Sequence, residues 1–190
     1  MKKDYIITTV SVIIGILLLI ASSFMVSNYK SKEEKLLILK DPHIGSFAVI
    51  KFFILCLIYL AFASLFELDH AFYSWCLSFL LARIFSAFAA VNFKCAKNNG
   101  TLYAFSNSTA KKITNAVLVL ELLLCSFAMV YLSPISGSCI VILLALFFAY
   151  FRMMALKKFG GVTGDLCGWF VCMAETIAVL SCGLLILLGF

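Results

Sequence analysis

The sequence predicts an all-α fold: a polytopic membrane helix bundle with about six transmembrane helices. Three observations carry that expectation. The 190 residues are 64% hydrophobic and 13% charged, with a mean hydropathy of +1.12, whereas a soluble domain is about half apolar and about a quarter charged. The apolar residues fall into runs close to the roughly 20 residues that cross a bilayer core as a helix. Charges and turn residues collect between the runs, and open sheets are excluded because lipid offers their backbone groups no partner.

Taken in order, the runs cover about 6–27, 46–66, 71–93, 113–133, 136–155 and 168–189. The first follows Met1-Lys2-Lys3 and ends near Ala21-Ser22-Ser23, so it has features of a signal peptide. It continues through Phe24-Met25-Val26, a length that favours a retained helix. The next segment, Ser31 to Leu39, has the pattern of a short amphipathic helix at the membrane surface, stopped by Asp41-Pro42. Ser133-Pro134 and Gly137 separate the fourth run from the fifth, and Gly160-Gly161 separates the fifth from the sixth. The chain is expected to form one integral membrane domain over residues 1–190, without internal repeats.

Of the 15 basic residues, 12 lie in the first, third and fifth loops: Lys30, Lys32, Lys35, Lys40 and Lys51, then Lys94, Lys97, Lys111 and Lys112, then Arg152, Lys157 and Lys158. The positive-inside rule places those loops in the cytosol and makes this a multi-pass protein of the cytoplasmic membrane. Lys2 and Lys3 pull the other way. The net charge of +6 is therefore topological, without the basic stripe and interleaved aromatics of a nucleic-acid site. Eight scattered cysteines with no Cys-x-x-Cys pair make neither a disulfide framework nor a zinc site.

Polar groups at membrane depth are costly and demand a reason. Arg83 lies within the third run, where it either pairs with Glu121 or Glu175 or faces a polar cavity and holds a phosphate. Glu121 has no motif around it. Asp165, Gly168, Cys172 and Glu175 are spaced three, four and three apart, which places them on one face of the last helix. That helix opens after Gly160-Gly161-Val162-Thr163-Gly164, and free N–H groups at such a start suit a phosphate. Thr163 and Asp165 also read as simple caps. Asp41 is held extended before proline, and His43 would exchange a proton near neutral pH. The polar, aromatic stretch Gly100–Thr109 reads equally well as a substrate lid or a connector.

Three blocks resemble the cobalamin synthase family, the adenosylcobinamide-GDP ribazoletransferases. They are Tyr29–Val49, containing Leu37-Ile38-Leu39-Lys40-Asp41-Pro42-His43; the stretch from Arg83 into Ala96–Phe105; and Lys158-Phe159-Gly160-Gly161-Val162-Thr163-Gly164-Asp165, continuing to Glu175. The resemblance covers roughly residues 27–190 and leaves 1–26 as a divergent first helix. It implies a transferase of cobalamin biosynthesis that joins adenosylcobinamide-GDP to α-ribazole or its phosphate with release of GMP, a phosphoryl transfer assisted by Mg2+. The implied catalytic residues are Asp165, Glu175, Asp41 and His43. The implied substrate-binding residues are Arg83, Thr163, Gly161, Gly164, Lys111 and Lys112, and Asp41 and Asp165 would contact magnesium.

The implied partners are the two substrates, the lipid bilayer, and a second copy of the chain or other corrinoid-pathway enzymes; nucleic acid is not expected. The family's aspartate-rich motif would fall on Leu17, Ala21 and Phe24, so those three carboxylates are absent. That departure points to a truncated frame, a half that needs a partner, or an inactive relative. An inactive membrane scaffold of the same pathway is the alternative function. A small-solute transporter ranks behind it, because no inverted repeat supports one.

Overall fold

The computed structural model describes residues 31, 32, 34, 46–96 and 101–189. The expected first span at 6–27 lies outside these residues, as do Asp41 and His43. The described chain is helical. Its elements are α1 (Ser46–Ala63), α2 (His70–Asn92), α3 (Thr101–Ser108), α4 (Lys111–Leu132), α5 (Pro134–Met154) and α6 (Gly164–Leu188), with a π-helical turn at Ala155–Phe159. Among the described residues, four helices are long and apolar enough to cross a membrane: α2, α4, α5 with its π extension, and α6. The other apolar helix, α1, is shorter, at 18 residues.

The helix limits follow from capping chemistry more closely than from hydropathy. Asp69 starts α2 by accepting from the Phe72 N–H at 2.9 Å. Pro134 sits in the first turn of α5, where its missing N–H costs nothing. Thr163 caps α6 and its Oγ1 accepts from the Leu166 N–H at 3.3 Å, so α6 begins at Gly164, four residues ahead of the apolar run. The Gly100–Thr109 stretch contains the eight-residue helix α3.

Helix α2 is the hub and packs against α4, α5 and α6, while α1 leans on α6. Its contacts with α4 are antiparallel. Ser74 Oγ donates to the Met129 carbonyl at one end (3.2 Å), and Asn92 and Asn115 exchange reciprocal amide bonds of 2.8 and 2.9 Å at the other. Ser86 Oγ reaches the Cys167 carbonyl of α6 at 3.4 Å. Buried positions of α2 are rich in Ala and Ser (Ala71, Ser74, Ser78, Ala82, Ala89, Ala90), which lets neighbouring backbones come close enough for these bonds.

Between α5 and α6 the packing is aromatic. Phe147 stacks on Phe170 with ring centroids 5.2 Å apart, and Phe151 and Phe148 flank the same ring at 4.9 and 5.7 Å. Phe151 and Phe170 are completely buried. The second, smaller cluster joins Ile58 and Phe62 of α1 to Val179 of α6. All eight cysteines are free thiols.

Gly137 marks the tightest helix approach. A Cβ there would collide with the Met129 carbonyl across the α4–α5 turn. Gly137→Ala should therefore destabilise the protein by about 1–3 kcal/mol through overpacking, despite alanine's better helix propensity. A thermal unfolding midpoint in detergent micelles equal to wild type would contradict this.

Candidate functional site

The ends of α2 and α5 and the starts of α4 and α6 share one end of the bundle, set by the antiparallel packing. This is the end that carries the basic loops. The turn leading into α6 is fastened there by backbone pairing. Val162 N–H donates to the Lys94 carbonyl at 2.8 Å, and Ala96 N–H donates to the Val162 carbonyl at 2.9 Å. These two bonds make a single parallel bridge between Cys95 and Val162.

Glycine is required at both positions just before Val162 in that bridge. Gly160 has φ +76°, in the left-handed region that closes the π turn. Gly161 lies so near the Lys94–Ala96 backbone that a Cβ would strike the Lys94 carbonyl. Lys94 is anchored in turn through its neighbour Phe93, whose ring carries the Arg152 guanidinium 5.5 Å above it.

The first block reaches the same place. Ser31 and Glu34 form a reciprocal capping box: the Ser31 N–H donates to Glu34 Oε2 at 3.0 Å, and the Glu34 N–H donates to Ser31 Oγ at 3.2 Å. Lys32 between them places its Cδ 3.9 Å from where a Cβ on Gly160 would stand. Described residues of all three blocks, Lys32, Lys94 to Ala96 and Gly160 to Asp165, therefore lie at the turn leading into α6.

From this turn one face of α6 runs inward through Asp165, Gly168 and Cys172 to Glu175. The first three are exposed, and beyond the local helix backbone and chain neighbours no atom lies within 4 Å of a Cβ built on Gly164 or Gly168. At the inner end Arg83 Nη1 donates to Glu175 Oε1 at 2.6 Å and to the Phe79 carbonyl at 2.8 Å. The Arg83 side chain is 60% exposed and that of Glu175 is 19% exposed. Of the two partners open to Arg83, the structure selects Glu175. Glu121 is exposed on α4 and has no hydrogen-bond or ion-pair partner among the described residues.

Other expected site residues are placed less closely. Lys111 and Lys112 are exposed at the start of α4, at the same end of the bundle as Asp165. Thr163 acts as the α6 cap, and Gly161 serves close backbone approach. Asp41 and His43 lie outside the described residues. Among the described residues, no three His, Cys, Asp or Glu side chains converge on a common point. Asp165 alone does not make a magnesium site. The Asn92–Asn115 amide clamp near the basic end was not anticipated from sequence, because two isolated asparagines 23 residues apart carry no local signal.

A multi-pass helical membrane protein with an intramembrane ion pair and a glycine-built turn at its basic end is the class so defined. Residues 20–183 match the family model described as CobS, Cobalamin-5-phosphate synthase, and the chain belongs to that family. It is 35% identical over 156 residues to an adenosylcobinamide-GDP ribazoletransferase of Lachnoclostridium phytofermentans. That match takes in 82% of this chain and 59% of the relative, so the chain spans about three-fifths of the relative's length. No solved structure matches the chain.

The bridge at Val162 yields a contrast between two glycines. Gly161→Ala should break the Lys94–Val162 pairing and lower stability by about 1–3 kcal/mol. Gly168→Ala, in open space, should leave stability equal or raise it by up to about 1 kcal/mol. Unfolding midpoints of the two variants in the same detergent check this; equal losses at both positions would remove the case for the bridge.

Proposed function

We propose that this chain carries out, or forms the larger part of, an adenosylcobinamide-GDP ribazoletransferase of the cytoplasmic membrane. The observation that carries this reading is that Lys32, Lys94 to Ala96 and Gly160 to Asp165, one piece from each family-like block, lie together at the turn into α6. Family membership supports the same activity, and the relative's name supplies the substrate.

In the proposed reaction a hydroxyl of α-ribazole, or of its phosphate, attacks the phosphorus that stays with the corrinoid. A new P–O bond forms, the diphosphate bridge opens, and GMP leaves. Such a transfer asks the protein mainly to position the reactants and neutralise charge. Lys111 and Lys112 stand at the basic end to meet the nucleotide. Backbone N–H groups at the start of α6, kept accessible by Gly164, offer the positive end of a helix dipole. Asp165, exposed in the first turn of α6, is the carboxylate available to take the hydroxyl's proton.

Glu175 is committed to Arg83, so its role is to hold that guanidinium rather than to act as a base. Magnesium dependence is proposed with the reaction, through Asp165 together with Asp41; when bound, the ion would neutralise diphosphate charge. The described residues alone do not form that centre, and the steps above rest on the protein's own groups.

The test is product formation by membranes containing the chain, supplied with adenosylcobinamide-GDP, α-ribazole and magnesium, and compared with Asp165→Asn. Wild type should release GMP and form the cobalamin. Asp165→Asn should lose roughly 10²-fold or more of the rate while inserting normally, within the range known for general acid–base catalysis. A well-inserted wild-type chain that makes no product would favour the scaffold reading. Equal rates for both would remove Asp165 from the chemistry.

A further inference from the structure

The Arg83–Glu175 pair has a position that its function as a packing ion pair does not explain. Phe79, which shares the guanidinium through its carbonyl, is the tenth of the 23 residues of α2. It is therefore about 13 Å from one end of the helix and about 20 Å from the other, at 1.5 Å per residue. Arg83 bonds back toward Phe79, so the side chain turns toward the middle of the span and away from the basic end. It is not snorkelling to the nearer interface.

Yet the side chain is 60% exposed. Only Nη1 is engaged, with Glu175 and Phe79; Nη2 and Nε have no partner among the described residues. A guanidinium in this situation cannot face lipid tails, where an ion costs several kcal/mol even with local relaxation. Two of its three nitrogens need water or an anion.

We infer that the α2–α6 face forms a water-filled cleft, opening at Asp165 and floored by Arg83, that accepts the diphosphate of a nucleotide-linked substrate. The cleft runs about 16 Å along α6 from Gly164 to Glu175. Its wall on α6 carries small exposed residues, Gly168 and Cys172. Glu175 holds one edge of the guanidinium, and the free edge presents Nη2 and Nε as a planar fork suited to two phosphate oxygens. The inference takes its ligand from the transferase reading; the hydrated cleft itself stands on the ion pair alone.

Thiol accessibility in the intact chain tests it. Inverted membrane vesicles bearing wild-type protein are treated with the membrane-impermeant, anionic 2-sulfonatoethyl methanethiosulfonate, and modified cysteines are located by peptide mass spectrometry. Cys172 should react at least about tenfold faster than a thiol introduced as Leu123→Cys, because the reactive thiolate forms in water and not in lipid. GDP or inorganic pyrophosphate should slow the reaction at Cys172 several-fold. Both Arg83→Gln and Arg83→Lys should abolish that protection while leaving the bare reaction intact, the lysine variant keeping a charge without the fork.

If Cys172 is as inert as the Leu123→Cys thiol, the face is covered by lipid, by another part of the chain or by a second copy, and the cleft is refuted. Reaction without nucleotide protection, or protection that survives both Arg83 variants, refutes the anion site. Protected labelling in a chain that makes no corrinoid product would uphold the cleft while the transferase reading fails.

Discussion

Apolarity alone cannot sort these helices. Lipid is as apolar as leucine, so helix association in a bilayer rests on close packing and on polar bonds between helices. Helix α2 supplies both. Its alanines and serines bring α4 and α6 near, and its polar side chains then bond across: Ser74 to Met129, Ser86 to Cys167, Asn92 to Asn115 and Arg83 to Glu175. The aromatic packing of α5 on α6 and the α1 cluster on α6 build outward from that hub.

The same constraint organises the basic end. Short connections and antiparallel packing bring the end of α2 against the turn before α6, and the Lys94–Val162 bonds hold it there. Gly161 permits the approach and Gly160 the reversal, while Thr163 closes the helix start. The turn is thus rigidly tied to two spans, and it sets the direction of the α6 face that carries Asp165 and Glu175. Precise placement of this kind is what the proposed phosphoryl transfer would draw upon.

Much of this was legible in the order of residues. The apolar runs located the four long spans because hydrocarbon thickness imposes a length. The three-four-three spacing placed Asp165, Gly168, Cys172 and Glu175 together because the helical period does. Other features were not legible. Hydropathy started the last helix at 168, since it is blind to the Thr163 cap that starts it at Gly164. Gly100–Thr109 gave no apolar period from which α3 would be read, its eight residues being mostly polar or small. Glu121 and Glu175 were equal candidates for Arg83, because sequence separation says nothing about which helix face meets which.

By itself, then, the sequence determined the solvent in which the protein folds, the approximate places of its long spans, the end that carries positive charge and the family to which it belongs. These are local or additive properties: burial length, loop charge and contiguous motifs. Only the tertiary structure decided that Glu175 holds Arg83, that Val162 pairs with Lys94, that Asn92 clasps Asn115 and that one face of α6 stays open beside a charged pair. Those outcomes depend on helix rotation and depth. They are set by the joint packing of several helices, and no single segment encodes them.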